Sequence, residues 1–349
     1  MHPGNLPPGG LRDGKTLRAA VQRWGHGPAV GGVFAELGQW RGEFLALVPF
    51  ATLIVLAAVF VLPRRNSEPE IAAPLPIVQL ALLTIAVFAA SWGGVGDGVI
   101  ATVIGMLAAI KLVALLVVVE RKSKTTLLPR ATFRHPGALG SLYATSALLA
   151  VTVTCTEIFL PLFLQDLHGR SPLEAGYIAA VMSAGWTAAA IFASGLQAKR
   201  RNIAVRVGPY LSLGSMVVLA AVLPITAPAG DWLPLTLICL ALIAGGAGVG
   251  LAYPHLSAMV LRVAPPAQAD NAASSIMTVQ LCATAFGAAI AGLAVNLAGG
   301  GSSSGGMDVA NAAMWLFVTV ALAPLLCILV MRSNPFRTAI RQSGGDADN

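Results

Sequence analysis

The feature that most constrains this chain is a series of apolar stretches of about 20 residues, separated by short polar joints. A bilayer core of roughly 30 Å offers the backbone no water, so stretches of this length cross it as helices. Of the 349 residues, 56% are apolar and only 11% are charged, which is more hydrophobic surface than a globular core can bury. The sequence therefore predicts an all-α integral membrane protein whose apolar surface is covered by lipid.

Nine apolar stretches are clear, and a half-polar segment at about 17–38 adds a tenth. The nine cover residues 43–62, 77–95, 99–119, 139–164, 174–196, 207–224, 233–254, 271–297 and 309–331. The polar leader, residues 1–23, contains no apolar core of the kind that a cleavable signal peptide requires. We therefore expect a polytopic bundle of about ten transmembrane helices, the first of which acts as the insertion signal.

The basic residues fall almost entirely on every second joint. Joints 120–136 and 197–206 are strongly basic, whereas joints 96–98, 225–232 and 298–308 contain no Lys or Arg. By this count 19 of the 22 Lys and Arg residues lie on one side of the membrane. Because basic loops stay in the cytoplasm, the pattern predicts a multi-pass protein of the cell inner (cytoplasmic) membrane with both termini cytoplasmic. The net charge of +7 is then a topology signal and does not indicate nucleic-acid binding.

Enzymatic and metal-binding patterns are weak in this sequence. The GxSxG match at 301–305 lies in a Gly/Ser loop without the strand and helix that a hydrolase elbow requires. The four cysteines form no CxxC pair and have no His or carboxylate at ligand spacing; they are Cys155, Cys239, Cys282 and Cys327. We therefore expect neither an enzyme nor a metal or cofactor site.

Three helix starts have capping residues. Ser171 is followed by Pro172 and, three residues on, by Glu174, which predicts a capping box with proline in the first turn. Asp270 and Asp308 precede other stretches and are expected to serve as N-caps.

Four passages in this order resemble the major facilitator superfamily, specifically the fourteen-helix drug:proton antiporters of the multidrug-export type. They are Gly27-Pro28-Ala29-Val30-Gly31-Gly32 with Trp40-Arg41 and Phe44 to Pro49, Leu162 to Gln165 with Gly169 and Ser171 to Gly176, Gly195-Leu196 with the basic run to Arg206, and Gly248 to Pro254 with Pro265-Pro266 and Asn271 to Gly287. The resemblance covers about residues 24–333. The order of the four passages is more specific than any one of them.

The resemblance implies the organisation of the chain. Residues 24–62 correspond to two helices of the N-terminal bundle, 63–136 to a linker with two extra transmembrane helices, 137–333 to the C-terminal six-helix bundle, and 334–349 to a cytoplasmic tail. The first four helices of the family are missing, which predicts an N-terminally truncated chain. Those helices carry the family's coupling acid and its basic loop motif. The loop at 197–206 also departs from the family, because Lys199-Arg200-Arg201 replaces the usual acidic residue.

Charged residues within the apolar stretches are the first candidates for transport chemistry, because a charge in hydrocarbon is costly unless it faces water or a partner. Glu157, within the Val151–Leu164 run, is the candidate for proton coupling. The alternative is a carboxylate near a helix end that reaches the outer water. Lys111 lies mid-span, where it either pairs with an acid or extends its ammonium towards an interface, and its role stays open.

Neutral polar and aromatic residues are weaker candidates. Gln280 and Trp186 are substrate-pathway candidates, with interhelical packing as the alternative. His255 is expected at the membrane interface. Gly246 and Gly250 share one helical face and predict close approach to a neighbouring helix. By resemblance to the antiporter motif, Gly27, Pro28, Gly31 and Gly32 gate the bundle interface.

The leading hypothesis is a secondary active transporter that exports small lipophilic or cationic compounds in exchange for protons. Its expected partners are the lipid bilayer, a small-molecule substrate and protons. The alternative is a truncated, non-transporting remnant, or a half-transporter that needs a partner chain for the missing helices.

Overall fold

The computed structural model describes residues 37–38, 40–61, 76–95, 99–123, 126–129, 132, 137–226, 232–265, 268–298 and 308–344. Ten helices and no β-strand occur in these residues. The helices are α1 (Trp40–Val61), α2 (Ile77–Val95), α3 (Val99–Lys122), α4 (Ala138–His168), α5 (Pro172–Ser194), α6 (Ala198–Val222), α7 (Leu233–Val263), α8 (Ala269–Ala298), α9 (Val309–Arg332) and α10 (Asn334–Gly344). The prediction of an all-α protein is confirmed.

Each of the nine clear apolar stretches forms a helix. Seven of them, α3 to α9, are long and apolar enough to cross a membrane. The apolar parts of α1 and α2 are shorter, at Leu47–Ala57 and Ile77–Gly93. The half-polar stretch predicted at 17–38 falls almost wholly outside the described residues.

Two joints predicted as loops are helical. Residues 198–206, with their basic run, form the first turns of α6, and residues 255–263 form the last turns of α7. A helix satisfies its own backbone groups in water as well as in lipid, so it need not end where the apolar stretch ends. Asp270 is the second residue of α8.

A six-helix bundle, α4 to α9, contains most of the buried core. Within it α7 packs against both α5 and α6, α9 packs against α4 and α6, and α8 packs against α4 and α9. The α2–α3 hairpin contacts this bundle chiefly through α2 and α8. Apolar side chains around α1 are largely exposed, Leu45 and Phe60 among them. In a membrane, lipid or another helix therefore has to cover α1.

The short helix α10 lies where the sequence predicted only a tail. Its Phe336 and Ala339 are completely buried, and α10 contacts α4, α7 and α9. The sequence did not single out this helix because only two or three apolar side chains face the bundle in this segment, too few to form a recognisable stretch.

The capping predictions at Ser171 and Asp308 are confirmed. The backbone N–H of Glu174 donates to Ser171 Oγ at 3.2 Å, and the N–H of Ser171 donates to Glu174 Oε2 at 3.1 Å. The N–H of Asn311 donates to Asp308 Oδ1 at 3.0 Å. Gly169 ends α4 with φ of 58°, a left-handed conformation that favours glycine.

Candidate functional site between α4, α5 and α7

Glu157 of α4 faces α5 and is half-buried. Ser183 Oγ donates a hydrogen bond to Glu157 Oε1 at 2.9 Å, and Ser183 itself is only 7% exposed. Several other buried hydroxyls of α4, such as those of Thr145 and Thr152, bond to carbonyls of their own helix. Glu157 thus accepts a hydrogen bond from a neighbouring helix, whereas the hydroxyls of Thr145 and Thr152 are satisfied within α4.

The position of this hydrogen bond along the two helices bears on both interpretations of Glu157. Ser183 is the middle residue of α5, about 16 Å along the axis from either end. Glu157 is about 17 Å from His168 at the end of α4. The carboxylate therefore lies roughly three turns from the nearer end of each helix.

Trp186 lies one turn beyond Ser183 on α5. Residues three apart in a helix are neighbours on its surface, so the indole lies beside the serine that binds Glu157. The ring of Trp186 also packs on the ring of Tyr253 from α7, with centroids 5.6 Å apart and planes inclined by 57°. Both aromatic residues are half-buried. The sequence did not single out either Ser183 or Tyr253.

Glycines set the distance between α5 and α7. A Cβ atom built on Gly246 would overlap the carbonyl oxygen of Met182, and one on Gly250 would overlap that of Trp186. A Cβ on Gly185 of α5 would lie 2.6 Å from the carbonyl oxygen of Ile243. The prediction that Gly246 and Gly250 permit close helix approach is confirmed. Because Gly246 and Gly250 have no side chains, α7 packs directly against the backbone of α5 that carries Trp186.

The opposite side of α7 packs as closely on α6. A Cβ on Gly208 would overlap the carbonyl oxygen of Gly248, and the reverse is also true. Ser215 Oγ donates to the carbonyl oxygen of Ala241 at 2.6 Å, and Ser212 Oγ to that of Gly245 at 3.4 Å. Helix α7 is therefore held on two sides by backbone-to-backbone contact, which makes it a rigid wall for the site.

Gln280 is not joined to this cluster. It is 9% exposed on α8, and its Nε2 is buried without a hydrogen-bond partner in the described part of the chain. Helix α8 packs on α4 through Gly287, where an added Cβ would lie 2.6 Å from Val151 Cγ1. The amide thus stays a separate candidate for a substrate pathway.

Lys111 is also outside the cluster. Its side chain is exposed in the middle of α3. Helices α2 and α3 pack closely at Gly105, where a Cβ atom would lie 2.6 Å from Gly93 Cα. This helix pair contacts the bundle mainly at α8. The motif residues Gly27, Pro28, Gly31 and Gly32 lie outside the described residues. Within the described ranges, no group of three His, Cys, Asp or Glu side chains is placed to hold a metal ion.

The sequence offered few signals for the residues that it missed. Ser183 is one of several serines in apolar stretches, and its hydrogen bond joins residues 26 positions apart. Tyr253 reaches Trp186 from another helix. Only the rotation and register of the packed helices show which polar residues meet.

Comparison with known proteins places this helical arrangement in a family. The family model described as Major Facilitator Superfamily matches residues 25–288. A probable multidrug-efflux transporter of Mycobacterium tuberculosis is 34% identical over 283 residues, which cover 79% of this chain and 59% of that protein. The methylenomycin A resistance protein of Streptomyces coelicolor is 25% identical over 306 residues, covering 86% of this chain and 61% of the relative. The tetracenomycin C resistance and export protein of Streptomyces glaucescens is 27% identical over 156 residues, which cover 43% of this chain and 28% of that protein.

The chain thus spans about three-fifths of the length of the mycobacterial relative. The family match covers most of the chain and includes α1 to α7 and the first two-thirds of α8. Membrane-spanning helices, the family model and the relatives agree, and the chain belongs to the Major Facilitator Superfamily.

Proposed function

We propose that the chain acts in secondary active transport, as part or all of an exporter that exchanges protons for small lipophilic or cationic compounds. The observation that carries this proposal is the Glu157 carboxylate near mid-helix, held by Ser183 beside Trp186. Relatives whose names describe multidrug efflux and antibiotic resistance support the substrate class.

Glu157 is suited to exchange because a carboxylate within an apolar helix needs a counter-charge, and no salt bridge to Glu157 occurs among the described residues. Ser183 supplies one hydrogen bond, which does not neutralise the negative charge. Either a proton on the carboxyl group or a nearby organic cation removes the charge. Since the two compete for one carboxylate, binding of one favours release of the other, and this is the requirement for antiport.

The aromatic pair supplies the surface for the organic part of such a cation. Trp186 and Tyr253 present broad faces, and a cation over an aromatic ring gains roughly 0.5–2 kcal/mol. This attraction is tolerant of ligand shape, which suits a range of lipophilic substrates. Gln280 remains a second substrate-pathway candidate through its unpartnered amide.

The topology is part of the proposal. Residues 24–62 would be two helices of the N-terminal bundle, 63–136 the linker with its two additional helices, and 137–333 the C-terminal bundle of a fourteen-helix antiporter. Basic residues on alternate joints favour the inner membrane with both termini cytoplasmic. In this arrangement Gly27, Pro28, Gly31 and Gly32 would form the gating motif.

The second candidate is a half-transporter that works with a partner chain, or a remnant that does not transport. Alternating access needs two bundles around one site. The exposed apolar side chains of α1 favour this candidate. A partner chain that supplies four further helices would then complete the cavity.

Transport into inverted membrane vesicles tests the proposal. Vesicles that contain the full chain are acidified inside, and uptake of the cationic dye ethidium is followed by fluorescence. We expect proton-dependent uptake that Glu157→Gln abolishes and Trp186→Ala weakens by about tenfold in dye affinity, the factor that corresponds to roughly 1.4 kcal/mol. Asp166→Asn is the matched control, because Asp166 is an exposed acid of the same helix.

The outcomes separate the candidates. Uptake by the wild-type chain alone supports an autonomous exporter, whereas uptake only after co-expression of a chain with the missing helices supports a half-transporter. No uptake in either case supports a remnant. If Glu157→Gln transports as well as the wild type does, the role given to Glu157 is wrong.

A further inference from the structure

A second polar cluster lies at the basic end of the α6–α7 pair and does not include Glu157. His255 is 7% exposed, and its Nε2 is buried without a hydrogen-bond partner in the described part of the chain. Arg201 Nε of α6 is also buried and unpartnered. The sequence predicts His255 at the membrane interface, and the structure shows that its side chain is buried. Buried polar atoms without partners are rare in folded proteins, so these two call for a hydrogen-bonding group that the described residues do not supply.

The register of α6 and α7 places Arg201 beside His255. The two helices run antiparallel, and their contacts pair Ser215 with Ala241 and Gly208 with Gly248. Two further turns along the same face bring Arg201 opposite His255. The electrostatic influence of Arg201 on His255, and of Arg262 on Arg201, agrees with this register. Three basic side chains therefore share one end of the α6–α7 pair.

The local backbone adds to the positive potential. Arg201 lies in the first turns of α6, whose N-cap residue Gln197 makes no side-chain capping bond. The first N–H groups of a helix carry a partial positive charge that favours anions. Meanwhile Ala193 of α5 supplies a backbone hydrogen bond to the ring of His255, whose Nε2 has no partner among the described residues. In its charged form this ring offers a further N–H donor.

We propose that Arg201, His255 and Arg262 form a binding site for a phosphate group. The ligand chemistry is a tetrahedral anion that accepts hydrogen bonds from Arg201 Nε and His255 Nε2, with Arg262 as the outer charge. Arg262 is exposed at the last turn of α7, so one side of the site is open. The position at a helix end, where the headgroups of a bilayer lie, suits the phosphate of an anionic lipid, and a free phosphate ion has the same chemistry.

The reason for such a site is electrostatic. Two arginines in close proximity repel one another, and this repulsion acts across the packed ends of α6 and α7. A bound phosphate group turns the repulsion into attraction between the helix ends. Occupancy should therefore stabilise the α6–α7 contact, apart from any effect on transport.

Lipid titration of the full chain tests this proposal. The protein is delipidated in neutral detergent, and binding of phosphatidylglycerol is measured by native mass spectrometry, with dioleoylglycerol as the lipid that lacks the phosphate. We expect phosphatidylglycerol alone to bind at this site, and Arg201→Gln or Arg262→Gln to weaken it by about tenfold. Arg200→Gln is the matched control: it removes the same charge from an exposed neighbouring position and should change affinity by less than twofold.

A second arm distinguishes the source of the phosphate. If inorganic phosphate at about 10 mM binds without lipid and displaces phosphatidylglycerol with the same dependence on Arg201 and Arg262, the natural ligand is a soluble anion. Without such competition the ligand is a lipid. Because Arg262 is exposed, its substitution tests the site even if Arg201→Gln fails to fold. The proposal is overturned if neither probe binds, or if Arg200→Gln loses as much affinity as the other two variants.

Discussion

Gly246 offers a quantitative test of the packing between α5 and α7. A Cβ atom at this position would overlap the carbonyl oxygen of Met182, which belongs to a helix backbone and cannot rotate away. Gly246→Ala therefore requires α5 and α7 to separate by about 1 Å. A gap of that size forfeits a quarter to a half of each interatomic contact, and each contact contributes ~0.1–0.2 kcal/mol. Over a few tens of contacts the loss in free energy of unfolding amounts to about 1–3 kcal/mol.

The control for this substitution is Gly214→Ala on α6. Gly214 is exposed, and no atom lies within 4 Å of the position that an alanine methyl group would occupy there. Alanine in an open helix interior is more favourable than glycine by about 0.5–1 kcal/mol, so this variant should be slightly more stable than the wild type. Unfolding in mixed micelles, followed by tryptophan fluorescence during titration with sodium dodecyl sulfate, measures both changes. Equal stability of Gly246→Ala and the wild type would refute the close contact between α5 and α7.

Two further predictions concern helix ends. Ser171→Ala removes the side-chain cap of α5 and should cost about 0.5–2 kcal/mol, whereas Ser194→Ala at the other end of α5 should change stability by less than about 0.5 kcal/mol in the same titration. Similar losses for the two variants would contradict the capping box. Phe336→Ala removes the completely buried anchor of α10. Amide hydrogen exchange at 334–344 should then rise at least about tenfold while α4 stays protected, and unchanged exchange would show that α10 is held by other contacts.

Much of the fold could be predicted because its signals are local. The apolar stretches identified α1 to α9. Ser171 with Glu174 identified the start of α5, and Asp308 identified the start of α9, each from a signal that spans no more than four residues. The start of α6 and the end of α7 were misplaced because a helix continues beyond the hydrocarbon without any apolar signal. Helix α10 was missed for a related reason. Among its described side chains only Phe336 and Ala339 are fully buried, so the segment contains no apolar stretch.

The candidate site was predicted less completely. Glu157 and Trp186 could be selected singly, because a charge or an indole in an apolar stretch is unusual. Their arrangement could not, since it depends on Ser183 and Tyr253 from neighbouring helices. His255 shows the same limit, because its burial follows from the register of α6 and α7.

Sequence alone determined the class of protein and the order and approximate extent of its apolar helices. These properties follow from the length of each apolar run, because a bilayer imposes the same requirement on every segment separately. Tertiary structure alone decided that Ser183 binds Glu157, that Gly208 brings α6 against α7, and that Arg201 stands beside His255. Those contacts depend on how each helix is rotated and shifted against the next, and residues far apart in the chain set that rotation together.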